Sequence, residues 1–159
     1  MTDDALHLDV TVATRKGALP SRKALQNWAQ AALGRMGRGR ELSVRIVGAR
    51  ESRSLNRRYR GHNTATNVLS FPASQCSAAH TLGDLVICPD VLRSEARAQG
   101  KTLRAHWAHL VVHGSLHLVG YDHIDAADAP RMERREIRVL RKLGFGNPYG
   151  RATVNRVES

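Results

Sequence analysis

The stretch HGSLHLVGYDH at residues 113–123 constrains the fold more than any other part of the chain. Histidines four residues apart share a face only on a helix, so His113 and His117 can converge on one point if the backbone around them is helical. Gly120 can take the left-handed conformation that ends a helix and turns the chain back, which carries His123 to the same point. The spacing therefore predicts a helix from about Thr102 to Leu118, closed by Gly120, with three imidazoles meeting at its end.

Three neutral imidazoles suit one Zn2+ ion and leave its fourth tetrahedral position for water or substrate, the arrangement that separates catalytic zinc sites from closed structural ones. The predicted ligands are His113, His117 and His123. Zinc rests on ligand type, and nickel or copper also accept imidazoles. His109 stands one turn before His113 in the same row, but it is eight residues from His117, roughly 12 Å along a helix axis. One ion cannot bridge that span, and Gly120 with His123 selects the later pair. The pattern H-x-x-x-H-x-x-G-x-x-H also occurs in zinc peptidases, whose general base is a glutamate directly after the first histidine. That position here is Gly114, which weakens a peptide-hydrolysis reading.

Strand and helix periods alternate before this stretch. Residues 6–13, LHLDVTVA, and 41–47, ELSVRIV, have the period of two expected of half-buried strands. Between them Ser21 can cap a helix through Leu25, Trp28 and Leu33 that meets glycines at 34, 37 and 39. A polar helix is expected over roughly 50–60, with Arg53, Arg57 and Arg60 on one face and Gly61 at its end. Two apolar runs, 67–72 and 82–88, read as a third and a fourth strand with hairpin-like spacing. Helices follow from Pro89 to about Gln99 and from Pro130 to Leu143. The expected fold is α+β, with a central mixed four-stranded sheet packed by about five helices in one domain spanning 1–159. In the last helix Glu136 lies close to the apolar side formed by Met132, Val139 and Leu140, as a paired buried charge would. Arginines along the rest of that helix read as a solvated face. Asp122 and Asp125 flank the third histidine and suit either an orienting carboxylate or a polar loop.

Composition bears on partners. Lys and Arg number 25 against 14 Asp and Glu, a net charge of +11, so an anionic partner is expected. Aromatic residues are only 4%, so any nucleic acid would be held by backbone charge more than by base stacking, with weak sequence preference and strong inhibition by salt. Cys76 and Cys88 form no C-x-x-C pair, and no run approaches the ~20 apolar residues of a membrane span. The acidic N-terminal stretch is unlike a secretory signal, and a cytoplasmic location without membrane attachment is expected.

With HGSLHLVGYDH stand LNRRYRG at 55–61, TNVLSFP at 66–72, LGDLVIC at 82–88, AHWAHLVVHG at 105–114 and FGNPY at 145–149. Together they resemble the YbeY family of bacterial metal-dependent endoribonucleases, from about Leu55 to Tyr149. The resemblance implies zinc on His113, His117 and His123, single-stranded RNA as substrate, and a role in maturing the 3′ end of small-subunit (16S) ribosomal RNA and in ribosome quality control. It also makes Arg60 the family's functionally important arginine, facing the cleft and the phosphate. Asn67 departs from the family pattern, where many relatives have Asp, and no proton transfer is assigned to it. A planar guanidinium is suited to gripping a phosphate and steadying charge that develops on it. Two other readings remain: a non-catalytic ribosome-maturation factor whose zinc fixes the end of a helix, and, behind it, a zinc peptidase.

Overall fold

The computed structural model describes residues 5–14, 17–73, 80–120 and 128–149, so Cys76, Asp122, His123 and Asp125 lie outside the described residues. Strands β1 (His7–Val12), β2 (Glu41–Ile46), β3 (Val68–Pro72) and β4 (Thr81–Ile87) form one sheet in the order β1-β2-β4-β3. β1, β2 and β4 are parallel, and β3 returns antiparallel to β4, the mixed sheet that the short β3–β4 spacing predicts. Helices α1 (Arg22–Leu33), α2 (Ala49–Arg60), α3 (Pro89–Gln99), α4 (Leu103–Leu118) and α5 (Asp128–Lys142) complete the α+β architecture.

The period of two decides which side chains each face receives. In β2, Leu42, Val44 and Ile46 are buried at 0–1% exposure while Ser43 and Arg45 turn to the other side. Leu8, Leu85, Ile87 and Val68 join that main face, against which α1 and α4 pack. The opposite face carries a smaller cluster of Val47, Leu69 and Val86, with Leu55 of α2 and Phe71 against it. α2 thus lies across the sheet from the other helices.

α4 is the internal helix. It packs on β3, β4, α1, α3 and α5 and buries residues on every side, from His106 and Trp107 to Leu116 and Leu118. A helix apolar all round belongs in the interior, and this one presents little of the two-faced pattern seen in α2 or α5. Thr102 caps it through Ala105 N, and the helix ends at Leu118 with Gly120 at φ 106°, as the glycine predicts. Ser21 caps α1 as expected, and the glycines after it form a 3₁₀ turn, Gly34–Gly37. α5, described from Asp128, carries the predicted Pro130 and runs to Lys142, one residue short of the predicted Leu143.

Candidate active site

The site begins with how closely α4 approaches the sheet. A Cβ at Gly114 would lie 2.9 Å from Leu85 Cδ2 and 3.3 Å from both Ser70 Oγ and Val68 Cγ2. Ser70 also donates to the Gly114 carbonyl at 3.3 Å. Only glycine permits this contact, and a glutamate at 114 would be driven into the β3–β4 surface instead of reaching a cleft. The position that carries the base in zinc peptidases is here a packing surface.

With Gly114 against the sheet, the adjoining row of α4 projects His109, His113 and His117 on successive turns, with ring centroids 6.1 Å and 4.9 Å apart. Across from the first two stands Glu136 of α5, wholly buried. Its Oε1 accepts from His109 Nε2 at 2.9 Å and from the Tyr149 hydroxyl at 2.6 Å, and its Oε2 accepts from His113 Nδ1 at 2.7 Å. Burial pushes this carboxyl up, but the hydrogen bonds from His109 and His113, the charge of His113 and the Tyr149 hydroxyl outweigh it and bring the group down to about 2. Burial and the Glu136 carboxylate push the Tyr149 phenol well above the usual tyrosine range, so it stays a donor.

An ionised carboxylate has no proton to give. The imidazole nitrogens facing Glu136 therefore carry the hydrogens, and in a neutral His113 ring the lone pair sits on Nε2. Histidines that bind metals are oriented in this way by a carboxylate on the other ring nitrogen. His109 is tied to Glu136 and, at 3.2 Å, to Tyr149. Ligand atoms of His109, His113 and Glu136 also lie within 4.8 Å of one another, so this group by itself could hold a metal ion. At 2.7–2.9 Å, however, its nitrogens and oxygens are at proton-sharing distance, closer than ligands spread around an ion with bonds of roughly 2 Å. The sequence placed Glu136 as a paired buried charge without naming its partners, which are His109, His113 and Tyr149. Tyr149, in the FGNPY segment, was not anticipated as part of the site.

The second wall comes from α2 and the segment after it. α2 buries two polar residues, Ser52 and Asn56. Asn56 Nδ2 donates to the Thr64 carbonyl at 2.9 Å, Ser52 Oγ donates to the Thr66 carbonyl at 3.0 Å, and Thr66 N donates back to Ser52 Oγ at 2.9 Å. These bonds hold residues 62–67 along the helix. Asn67 donates to both oxygens of Glu95 at 3.1 and 3.2 Å while its own Oδ1 accepts from Val68 N, and Glu95 also accepts from His106 Nε2 at 2.8 Å. An aspartate at 67 would set two carboxylates against each other, so asparagine matches Glu95 here. Burial lowers the His106 pKa in spite of the opposing Glu95 contact.

Between the walls lies a cleft of about 830 Å³ lined by Arg60, Thr66, Asn67 and Ser70 together with His113 and His117. The structure thus brings Arg60, exposed in the last turn of α2, to the same cleft as two of the three predicted ligands. No acidic residue lines it among the described residues. The described lining offers imidazoles beside a guanidinium, which fits an anionic group.

Two comparisons with known proteins bear on the family and the fold. The model of the family described as "Endoribonuclease YbeY" matches residues 10–144. The solution structure of TM1509 from Thermotoga maritima is similar in fold, with a TM-score of 0.59 and 24% identity, covering 96% of this chain and 95% of that one.

Proposed function

Since the chain belongs to the YbeY endoribonuclease family, we propose that it is a single-strand-specific, zinc-dependent endoribonuclease acting in the cytoplasm on ribosomal RNA, in 3′-end maturation of 16S rRNA and in ribosome quality control. The observation that carries the reading is the shared cleft, in which His113 and His117 face the same space as Arg60. The donor set fits a zinc ion on His113, His117 and His123: Glu136 accepts a hydrogen bond from His113 Nδ1 and so directs the Nε2 lone pair towards the metal. Bound there, zinc would supply a Lewis-acid charge for a phosphoryl oxygen and a water acidified towards neutral pH.

The chain's own residues supply the rest. Arg60 grips the scissile phosphate and steadies the charge that builds on it during phosphodiester cleavage. Glu136 holds the His113 ring in one tautomer and one orientation, and Tyr149 and His109 in turn fix Glu136. Asn67, committed to Glu95 and to its own neighbour's backbone, shapes the wall and moves no proton. The net charge of +11 draws the substrate in, with the salt dependence of phosphate binding.

The test compares cleavage of an unstructured RNA by the wild-type protein and by His117→Ala, purified identically and each assayed for bound metal and for folding. Cleavage by the wild type but not by the folded, metal-depleted variant is expected. Equal cleavage by both would overturn the proposal, and cleavage of neither unstructured nor ribosomal RNA would favour the non-catalytic maturation factor.

A further inference from the structure

Tyr59 is 58% exposed, more than any other large apolar side chain among the described residues. One exposed aromatic is ordinary on a protein surface. What sets Tyr59 apart is that it lines the histidine cleft and also a second hollow of about 520 Å³ between α2 and the outer face of the sheet. Phe71 lines both as well, and the two rings meet edge to face, with centroids 5.3 Å apart and planes at 71°. Tyr59 therefore stands on the ridge between the hollows, braced from one side.

The hollows differ in charge. The histidine cleft has Arg60 and no acid among its described lining residues. The second has one base, Arg45, held by Glu51 at 2.9 Å, and a further carboxylate on Asp84. Two acids against one paired arginine repel a phosphate, while the Leu55, Phe71 and Val86 surface between them accepts a neutral flat ring. A nucleotide has that same division, with an anion at one end and an uncharged aromatic ring at the other. The Arg58 guanidinium lies over the Tyr59 ring, 6.0 Å from its centroid, so a base stacking on that face displaces it, and the freed cation can turn to the adjoining phosphate.

We propose that Tyr59 is a base-stacking platform: the nucleobase next to the phosphate held at Arg60 leaves the strand, lies on the Tyr59 ring and projects into the hollow between α2 and the sheet. The inference rests on the single-stranded RNA reading above and adds to it a residue that contacts the bases. Recognition then involves more than backbone charge, although aromatic residues are few.

The probe is a fluorescein-labelled 2′-O-methyl oligoadenylate dodecamer, checked for integrity after each titration, beside a dodecamer of the same backbone lacking bases. Tyr59→Ala should bind the oligoadenylate about 5- to 100-fold more weakly, the range that loss of one stacked base implies. Tyr59→Phe should bind it as the wild type does, and the abasic probe should not distinguish the three proteins. Tyr59→Trp should show tryptophan quenching with the oligoadenylate and none with the abasic strand, an outcome independent of how well the alanine variant folds. Unchanged affinity in folded Tyr59→Ala, or an equal loss on both probes, overturns the platform and leaves the RNA reading intact. Failure of the wild type to bind either probe removes the RNA reading and the platform with it.

Discussion

Replacing Glu136 by glutamine changes one atom in a wholly buried side chain, yet it should be among the most damaging substitutions at the site. The carboxylate is held at about 2 against an ordinary 4.5 by donors from His109, His113 and Tyr149. A shift of that size corresponds to about 3 kcal/mol at neutral pH. Because the folded-state pKa is depressed, this stability is present above about 4.5 and disappears as pH falls towards about 2. The glutamine amide also turns a donor towards an N–H or O–H that was donating, so His113 must reverse its tautomer or lose its partner. Urea denaturation of the metal-free proteins should show Glu136→Gln less stable by about 3 kcal/mol at pH 7, with the gap narrowing through the carboxylate range. Competition with a chelator should show zinc held about 10- to 100-fold more weakly, as for other carboxylates that orient metal-binding histidines. A stability gap of equal size at pH 7 and pH 2.5 would refute the charge argument. Unchanged zinc affinity would refute the orienting role.

Gly114→Ala tests the helix–sheet contact. On a solvent-exposed helix the change would stabilise by about 1 kcal/mol, but the 2.9 Å approach of Leu85 should make it cost about 1–3 kcal/mol and lower Tm, and a rise in Tm on calorimetry would contradict the packing argument. Asn56→Ala leaves the Thr64 carbonyl without its partner and should cost about 1 kcal/mol. Faster hydrogen exchange across residues 62–67 and a higher KM for RNA should accompany it, with zinc content unchanged, because the segment lines the cleft and carries no ligand.

The elements were legible from the sequence because each has a strong local cause. Alternation in ELSVRIV set β2, Ser21 and Thr102 capped α1 and α4, and Gly120 ended α4 where the histidine spacing required. The convergence of Arg60 with His113 and His117 was anticipated only through family resemblance, since no local pattern links residue 60 to residue 113. Glu136 left a trace, a charge on the same face as Met132, Val139 and Leu140, but its partners sit 23 and 27 residues earlier and 13 residues later, beyond any helical period. Tyr149 left none, because a tyrosine after a helix has many ordinary uses. The two buried polar residues of α2 show the same limit: Ser52 and Asn56 read as a solvated polar helix until the segment they hold is seen beside them.

The carboxylate that orients the histidines follows them along the chain, and this has a bearing on the order in which a ribosome makes the protein. α4 leaves the exit tunnel with His113 and His117 already on one face, while Glu136 and Tyr149 are still to be translated or still enclosed. The hydrogen bond from His113 Nδ1 to Glu136 forms only once α5 has folded back against α4. The face of α4 is thus laid down first, and the orientation of its histidines is set later by the packing of α5 against it.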